Sequence, residues 1–228
     1  MTLTLYAHPL SSYSQKVLVA LWENGIDFAY RHLGEDGAHD ELRALWPTGR
    51  FPVLVDSNTV VAESSIIIEH LQIRHPGPVR LIPDDPAAAL EVRLLDRIFD
   101  VEVMAAMQRP VTEALRGMLP LPAGSPPRAP DRLDEVRADA ARALETIYGW
   151  LDRRIAGRAW ATGDAFTMAD CAAAPSLFYA DWVHPIGPEH ARLAAYRAKL
   201  LARPSFARAV EEARPYRANF PLGAPDRD

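Results

Sequence analysis

Two short stretches hold the residue types that could do chemistry. The first is Ser11-Ser12-Tyr13-Ser14, which stands just ahead of Val17, Leu18, Leu21 and Trp22, an apolar set at helical spacing. Hydroxyls at a helix start favour an anion, because the first turn has unpaired N–H groups and the positive end of the helix dipole. The second stretch runs from Arg50 to Ser65. It has two apolar runs, Val53 to Val55 and Thr59 to Ala62, separated by Asp56-Ser57-Asn58, which is hairpin punctuation. Pro52 opens the hairpin. It can donate nothing to a ladder, so it belongs at a strand start, and an X-Pro bond is where a cis peptide costs little. A cis bond would turn the Phe51 N–H and C=O away from the sheet, free to dock an extended peptide. Ser64 and Ser65 begin the next helix, where a carboxylate is welcome. Glu63, one step earlier, accepts an amine. Together these groups describe a receptor for a small zwitterion on an extended backbone.

The elements that must position them follow from periodicity. Thr2 to Tyr6 alternates as a short strand, and the helix after the serine loop stops at Asn24-Gly25. Asp27 to Leu33 offers a second strand, Gly34 to His39 a polar loop, and Asp40 to Trp46 a short helix ended by Pro47 and Gly49. With the hairpin and its helix the order is β-α-β-α-β-β-α, a thioredoxin-like pattern over residues 1–80. A proline-rich segment from His75 to Pro86 suits a linker. Beyond it, residues 87–215 read as all-helical. Ala87 to Gly117 carries Leu90, Leu94, Ile98, Val101 and Ala105 as its stripe, with a kink or break predicted at Pro110. Leu119 to Pro130 holds five prolines and reads as a loop. Leu133 to Ala156 is a second long helix with Ala140, Leu144, Ile147 and Leu151 inward. Thr167-Met168-Ala169-Asp170 fits a capping box that starts a third, and Pro204 divides two more. Residues 216–228 read as an extended tail. The fold class is α/β plus all-α.

Composition narrows the partners. The 228 residues are 49% hydrophobic and 24% charged with a net charge of -5, an ordinary globular balance with no basic stripe for nucleic acid. No apolar run reaches the ~20 residues that span a bilayer. The single cysteine, Cys171, can form no internal disulfide, and Met1 to Tyr6 lacks the form of a secretion signal, so a cytoplasmic location is expected. His8, His32, His70, His75, His184 and His190 lack metal-ligand spacing, and no metal is assigned.

Redox proteins of thioredoxin-like pattern carry Cys-x-x-Cys where this chain has Ser11-Ser12-Tyr13-Ser14, so a thiol must arrive on the ligand. Ser11 or Ser12 could donate to its thiolate. A hydrogen bond to a charged group is worth ~1.5–3 kcal/mol and one pKa unit ~1.4 kcal/mol, so a thiol near ~8.5 could fall by about one to two units. Read alone, the same serines are also what ordinary helix caps look like.

Four segments in this order resemble the cytosolic glutathione transferase family along nearly the whole chain: His8 to Val17, Gly49 to Leu54, Glu63 to Ile67, and Gly163 to Asp170. By this resemblance Ser11 matches the activating serine, with Ser12 beside it as a rival. Pro52 matches the cis-proline whose predecessor, Phe51, binds the cysteinyl backbone. Glu63 and Ser64 match the γ-glutamyl binders, and His39 or Arg50 would face the glycyl carboxylate. Phe51 departs from the family, which usually has a small aliphatic there. The resemblance implies a homodimer with glutathione as co-substrate and a small apolar electrophile held on the helical domain. Reduction of disulfides, isomerisation or dehalogenation on the same fold, and a silent binding or scaffolding protein, are the rival readings.

Overall fold

The computed structural model describes residues 3–118, 120 and 132–228, so the proline-rich stretch from 119 to 130 lies almost wholly outside the described residues. The N-terminal unit is a four-stranded mixed sheet with helices on its faces. Its elements are β1 (Leu3–Ala7), α1 (Ser12–Glu23), β2 (Ala29–His32), α2 (Ala38–Leu45), β3 (Val53–Asp56), β4 (Thr59–Ala62) and α3 (Ser64–Arg74). The strand order is β2-β1-β3-β4, with β1 parallel to β2 and antiparallel to β3. This is the thioredoxin-like arrangement that the sequence predicts. Leu3, Leu5, Leu54 and Val61 from the sheet meet Val17, Leu18, Leu21, Ile67 and Leu71 from α1 and α3. The strands are short and apolar where they are buried, with leucines in β1 and valines in β3 and β4, which suits a pleated surface covered by helices.

Register brings the chemistry to one end of the sheet. Tyr6 pairs with Val53 and Val53 with Ala62. The residues that extend these strands, His8-Pro9 after β1, Phe51-Pro52 before β3 and Glu63-Ser64 after β4, therefore lie side by side. At the other end a two-residue turn, with Ser57 at φ 56°, closes Asp56 against Thr59.

The helical unit comprises α4 (Pro86–Ile98), a π-helical segment at Phe99–Met104, α5 (Ala105–Met118), α6 (Leu133–Arg154), α7 (Met168–Val183), α8 (Ala191–Leu201) and α9 (Pro204–Ala213). Helix α7 is its axis: nearly every residue from Met168 to Asp181 is buried. The capping box read from Thr167 and Asp170 is formed, and Asp170 also accepts from Ala161 N at 2.8 Å and the Tyr196 hydroxyl at 2.6 Å. Helix α8 is capped from outside its own sequence. Asp152 on α6 accepts from the N–H groups of Arg192 and Leu193 at 2.8 and 2.9 Å.

Three expectations change. Pro110 lies inside α5 without ending it. The helix survives because Ala106, Met107, Pro110, Val111 and Ala114 form a continuous buried face, and the irregular turn lies upstream in the π segment. The buried face of α4 is Ala89, Val92, Leu95 and Asp96, so Leu90 and Leu94 point to solvent at 68% and 51% exposure. The α4 sequence has apolar residues on two sides, and periodicity alone cannot rank them. Residues 216–228 do not project as an extended tail. A 3-10 turn spans Arg214–Asn219, and the segment then folds back: Phe220 is buried against Tyr179 and Trp182, Arg227 pairs with Asp181, and Arg214 with Asp228.

The two units are joined by a buried charge cluster. Lys16 on α1 is 1% exposed and reaches Asp96 and Asp100 at 2.7 Å each and Ser65 Oγ at 2.8 Å, while the Ser65 hydroxyl donates to Asp96 at 2.6 Å. Burial holds the Asp100 carboxyl above its usual range, and the Lys16 charge offsets only part of that.

Candidate active site

A cavity of about 300 Å³ opens between the units at the end of the sheet where the register collects the loops. Ser11, Ser12, Tyr13 and Phe51 line its N-terminal wall, with His8 and Leu10. Met107, Val111, Leu115, Tyr179 and Phe220 face them from the helical unit. One wall is polar and carries the helix start; the other is apolar.

Ser11 is the N-cap of α1. Its side-chain oxygen accepts from Ser14 N at 3.3 Å, and its own N–H donates to His8 O at 3.0 Å. Ser14 Oγ accepts from His8 N. The loop thus uses Ser11 as an acceptor and leaves its hydroxyl proton to donate. Ser12 is the first residue of α1 and nearly buried on the same wall. Among the described residues both serines border the cleft, so the choice between them rests on Ser11 being the cap.

The Phe51–Pro52 peptide is cis, as the sequence predicts, and Phe51 borders the cavity beside the serines. Glu63 adopts φ 69° and ψ 120°, a backbone conformation that a side chain other than glycine resists. Such a residue costs about 1–3 kcal/mol and is typically retained at functional sites. Its side chain makes no cap bond to α3, so the carboxylate faces outward, while Ser64 is buried at the first position of that helix. Glu63 and Ser64 do not line the cavity itself; they lie beside Phe51–Pro52 along the sheet end, where an extended ligand would continue out of the cleft. Arg50 lies close enough to act electrically on Tyr13, and His39, the second residue of α2 where a loop was expected, on His8.

Sequence reasoning passed over three residues here. Tyr13 has its phenol pushed up to about 12, by burial first and then by the charges of Asp100 and Glu63, so it stays protonated; its hydroxyl donates to Asp100 O at 3.4 Å. Gln15 is buried and ties the loop to the helical wall, its amide donating to Pro9 O at 2.8 Å and to the Tyr179 hydroxyl at 3.0 Å. Tyr216 packs its ring on His8 and His32 at 4.8 and 5.3 Å, and burial, followed by His32 and His39, pushes the His8 imidazole down. The signal for Gln15 was a polar residue on the apolar side of α1; the others gave none, since their partners are far away in sequence. Cys171 is buried in α7, and burial pushes its thiol up, so it supplies no thiolate.

Comparisons with known proteins match both units of the chain. A family model described as "Glutathione S-transferase, N-terminal domain" matches residues 5–79, and one described as "Glutathione S-transferase, C-terminal domain" matches 134–202. The chain is similar to FtsZ-localized protein A of Caulobacter vibrioides, 30% identical over 89% of this chain and 88% of that protein. It is also similar to glutathione S-transferase GstB of Escherichia coli K12, 28% identical over 77% and 82%. Among solved structures, a glutathione S-transferase of Methylobacterium radiotolerans in complex with glutathione sulfonate superposes with a TM-score of 0.71 at 30% identity, covering 92% of this chain and 95% of that one.

Proposed function

The chain belongs to the cytosolic glutathione S-transferase family, and from that premise we propose that it binds glutathione along the Phe51 to Ser64 edge and transfers its thiolate to a small apolar electrophile in the cleft. The observation that carries this reading is the Ser11 hydroxyl, an acceptor toward Ser14 N and a free donor on a wall that faces Met107, Val111, Leu115 and Phe220. The cysteinyl segment docks on the Phe51 backbone as an added strand. The γ-glutamyl amine meets the Glu63 carboxylate, its carboxylate meets the start of α3 at Ser64, and Arg50 and His39 take the glycyl end. The Ser11 hydroxyl donates to the thiolate, with Ser12 as the neighbouring donor. The thiolate is intrinsically nucleophilic, so holding it against the electrophile supplies much of the rate. Phe51 covers the thiolate from the side with an aromatic ring.

Calorimetry with glutathione tests the reading. Binding is expected in the wild type and a loss of tenfold or more in Glu63→Ala and in Ser64→Ala; no binding, or variants that bind as well, would overturn it. Profiling against an aryl halide, an epoxide and a small disulfide then separates conjugation from dehalogenation, isomerisation and reduction on the same cleft. The relative named FtsZ-localized protein A favours a second reading, a binding or scaffolding protein without turnover. A Ser11→Ala and Ser12→Ala pair that alters no measured activity would support it.

The same premise supports a homodimer. Ile66 and Ile73 on α3 and Leu90 and Leu94 on α4 are all more than half exposed, and the bidentate pair of Arg93 with Glu69 at 2.8 and 2.9 Å holds these two faces together as one surface. A second copy would cover an apolar patch of the kind that monomers rarely leave open.

A further inference from the structure

We propose that Asp56, His70 and His75 form a three-ligand site for a divalent transition metal of borderline softness, such as zinc. The three residues meet at the turn end of the hairpin. That end is about 13 Å along β3 from Pro52 and the cleft, so this inference does not depend on the glutathione reading. Asp56 closes β3, His70 lies on the second half of α3, and His75 is the residue that ends it. Both histidines direct Nε2 at a single oxygen, Asp56 Oδ2, at 2.8 and 2.9 Å. One donor atom from each residue lies within 4.8 Å of the other two.

The geometry suits a metal. Bonds of ~2.0–2.1 Å to nitrogen and oxygen in a tetrahedron place ligand atoms about 3.3 Å apart, so the two nitrogens and the carboxylate need to separate by about half an ångström. Two neutral imidazoles and one carboxylate are the ligand types that zinc and its neighbours in the series accept. Each ring would carry its proton on Nδ1 and give its Nε2 lone pair to the ion. The carboxylate is nearly buried at 7% exposure while the rings are 18% and 24% exposed, which fixes the anionic ligand and leaves the side of the rings open to an ion and a water.

A second set in the helical unit, Glu145, Glu189 and His190, is less suited. Glu145 is 47% exposed, and His184 and His190 bind its two oxygens separately, at 3.1 and 2.7 Å. Its donor atoms also lie within 4.8 Å of one another, but His190 Nε2 is 4.0 Å from the Glu189 carboxylate, and two of its three residues are solvated carboxylates.

The test uses tag-free full-length protein without glutathione, titrated with cobalt(II) as a spectroscopic stand-in and then with zinc(II). One equivalent per chain is expected, with visible absorption of a low-symmetry cobalt site that zinc displaces. Affinity should fall at least tenfold in His70→Gln, His75→Gln and Asp56→Asn, each of which keeps a hydrogen-bonding group of similar size, and stay unchanged in Glu145→Gln. X-ray absorption on the zinc-loaded wild type needs no variant and should show two imidazole nitrogens at about 2.0–2.1 Å. Absence of stoichiometric binding, binding that survives both histidine changes or is lost in Glu145→Gln, or a shell of oxygen or sulfur alone would each overturn the assignment.

Discussion

Replacing Ser11 with alanine removes one hydroxyl that has two tasks, and the two are separable. As the cap of α1 it accepts from Ser14 N at 3.3 Å, longer than the usual ~2.9–3.0 Å, which places its cap contribution near the lower end of about 0.5–2 kcal/mol. The protein therefore stays folded, with a melting temperature lowered by a few degrees. As the donor proposed for the glutathione thiolate it contributes ~1.5–3 kcal/mol, which is about one to two pKa units. The bound thiol would then titrate near ~6.5–7.5 in the wild type and near ~8.5 in Ser11→Ala. The assay is the pH dependence of glutathione conjugation at saturating glutathione, paired with the ultraviolet absorbance of the bound thiolate. Below the lower value the variant should be about 10–100 times slower. Above pH ~9 the two profiles should converge, because both then carry thiolate and the rest of the cleft is intact. Ser11→Thr keeps a hydroxyl and should retain most of the rate. If Ser12→Ala moves the apparent pKa and Ser11→Ala does not, the role belongs to Ser12. If neither moves it, hydroxyl stabilisation of the thiolate is refuted.

Three more outcomes follow from other parts of the molecule. Glu63→Gly should raise stability by about 1 kcal/mol, since glycine accepts φ 69° without strain, while glutathione affinity falls; paired denaturant and calorimetric titrations check both. Lys16→Met should cost about 3–5 kcal/mol in urea unfolding because it leaves Asp96 and Asp100 buried beside each other without the ammonium that pairs both, and a loss under 1 kcal/mol would show that the cluster is solvated. Sedimentation should report a dimer for the wild type and a monomer for the Leu90→Glu, Leu94→Glu pair, and a wild-type monomer independent of concentration would remove the homodimer.

Local rules made the sheet legible. Period-two runs, the hairpin punctuation at Asp56-Ser57-Asn58 and the start signal at Thr167 depend on neighbours in the chain, so strands, hairpin and capping box followed from the residues themselves. Pro52 was legible for the same reason, since proline limits its own peptide bond. What stayed hidden is set by distance in sequence. Lys16 reads as a solvated charge until Asp96 and Asp100 arrive from a helix eighty residues away. His70 and His75 are spaced unlike metal ligands, and only the hairpin turn brings Asp56 to both. The exposed side of α4 was misread because both of its sides carry leucine or valine, and tertiary packing chose between them. Tyr179 and Phe220 became cleft walls only through the returning C-terminal segment.

Two packed units in one chain move relative to each other by default, and an active cleft between them would then open and shut like a jaw. The Lys16 ammonium makes that motion costly. Any sliding of α1 past α4 would part it from two carboxylates inside the protein, where lost partners are not replaced by water. The cluster therefore resists changes in the width of the cleft. Adaptation to ligands of different size must come from the rim, where the Phe51 ring is only partly buried at the edge of the cleft. Selectivity would accordingly be altered by exchanging rim side chains, and the spacing of the two units would carry over unchanged from one variant to the next.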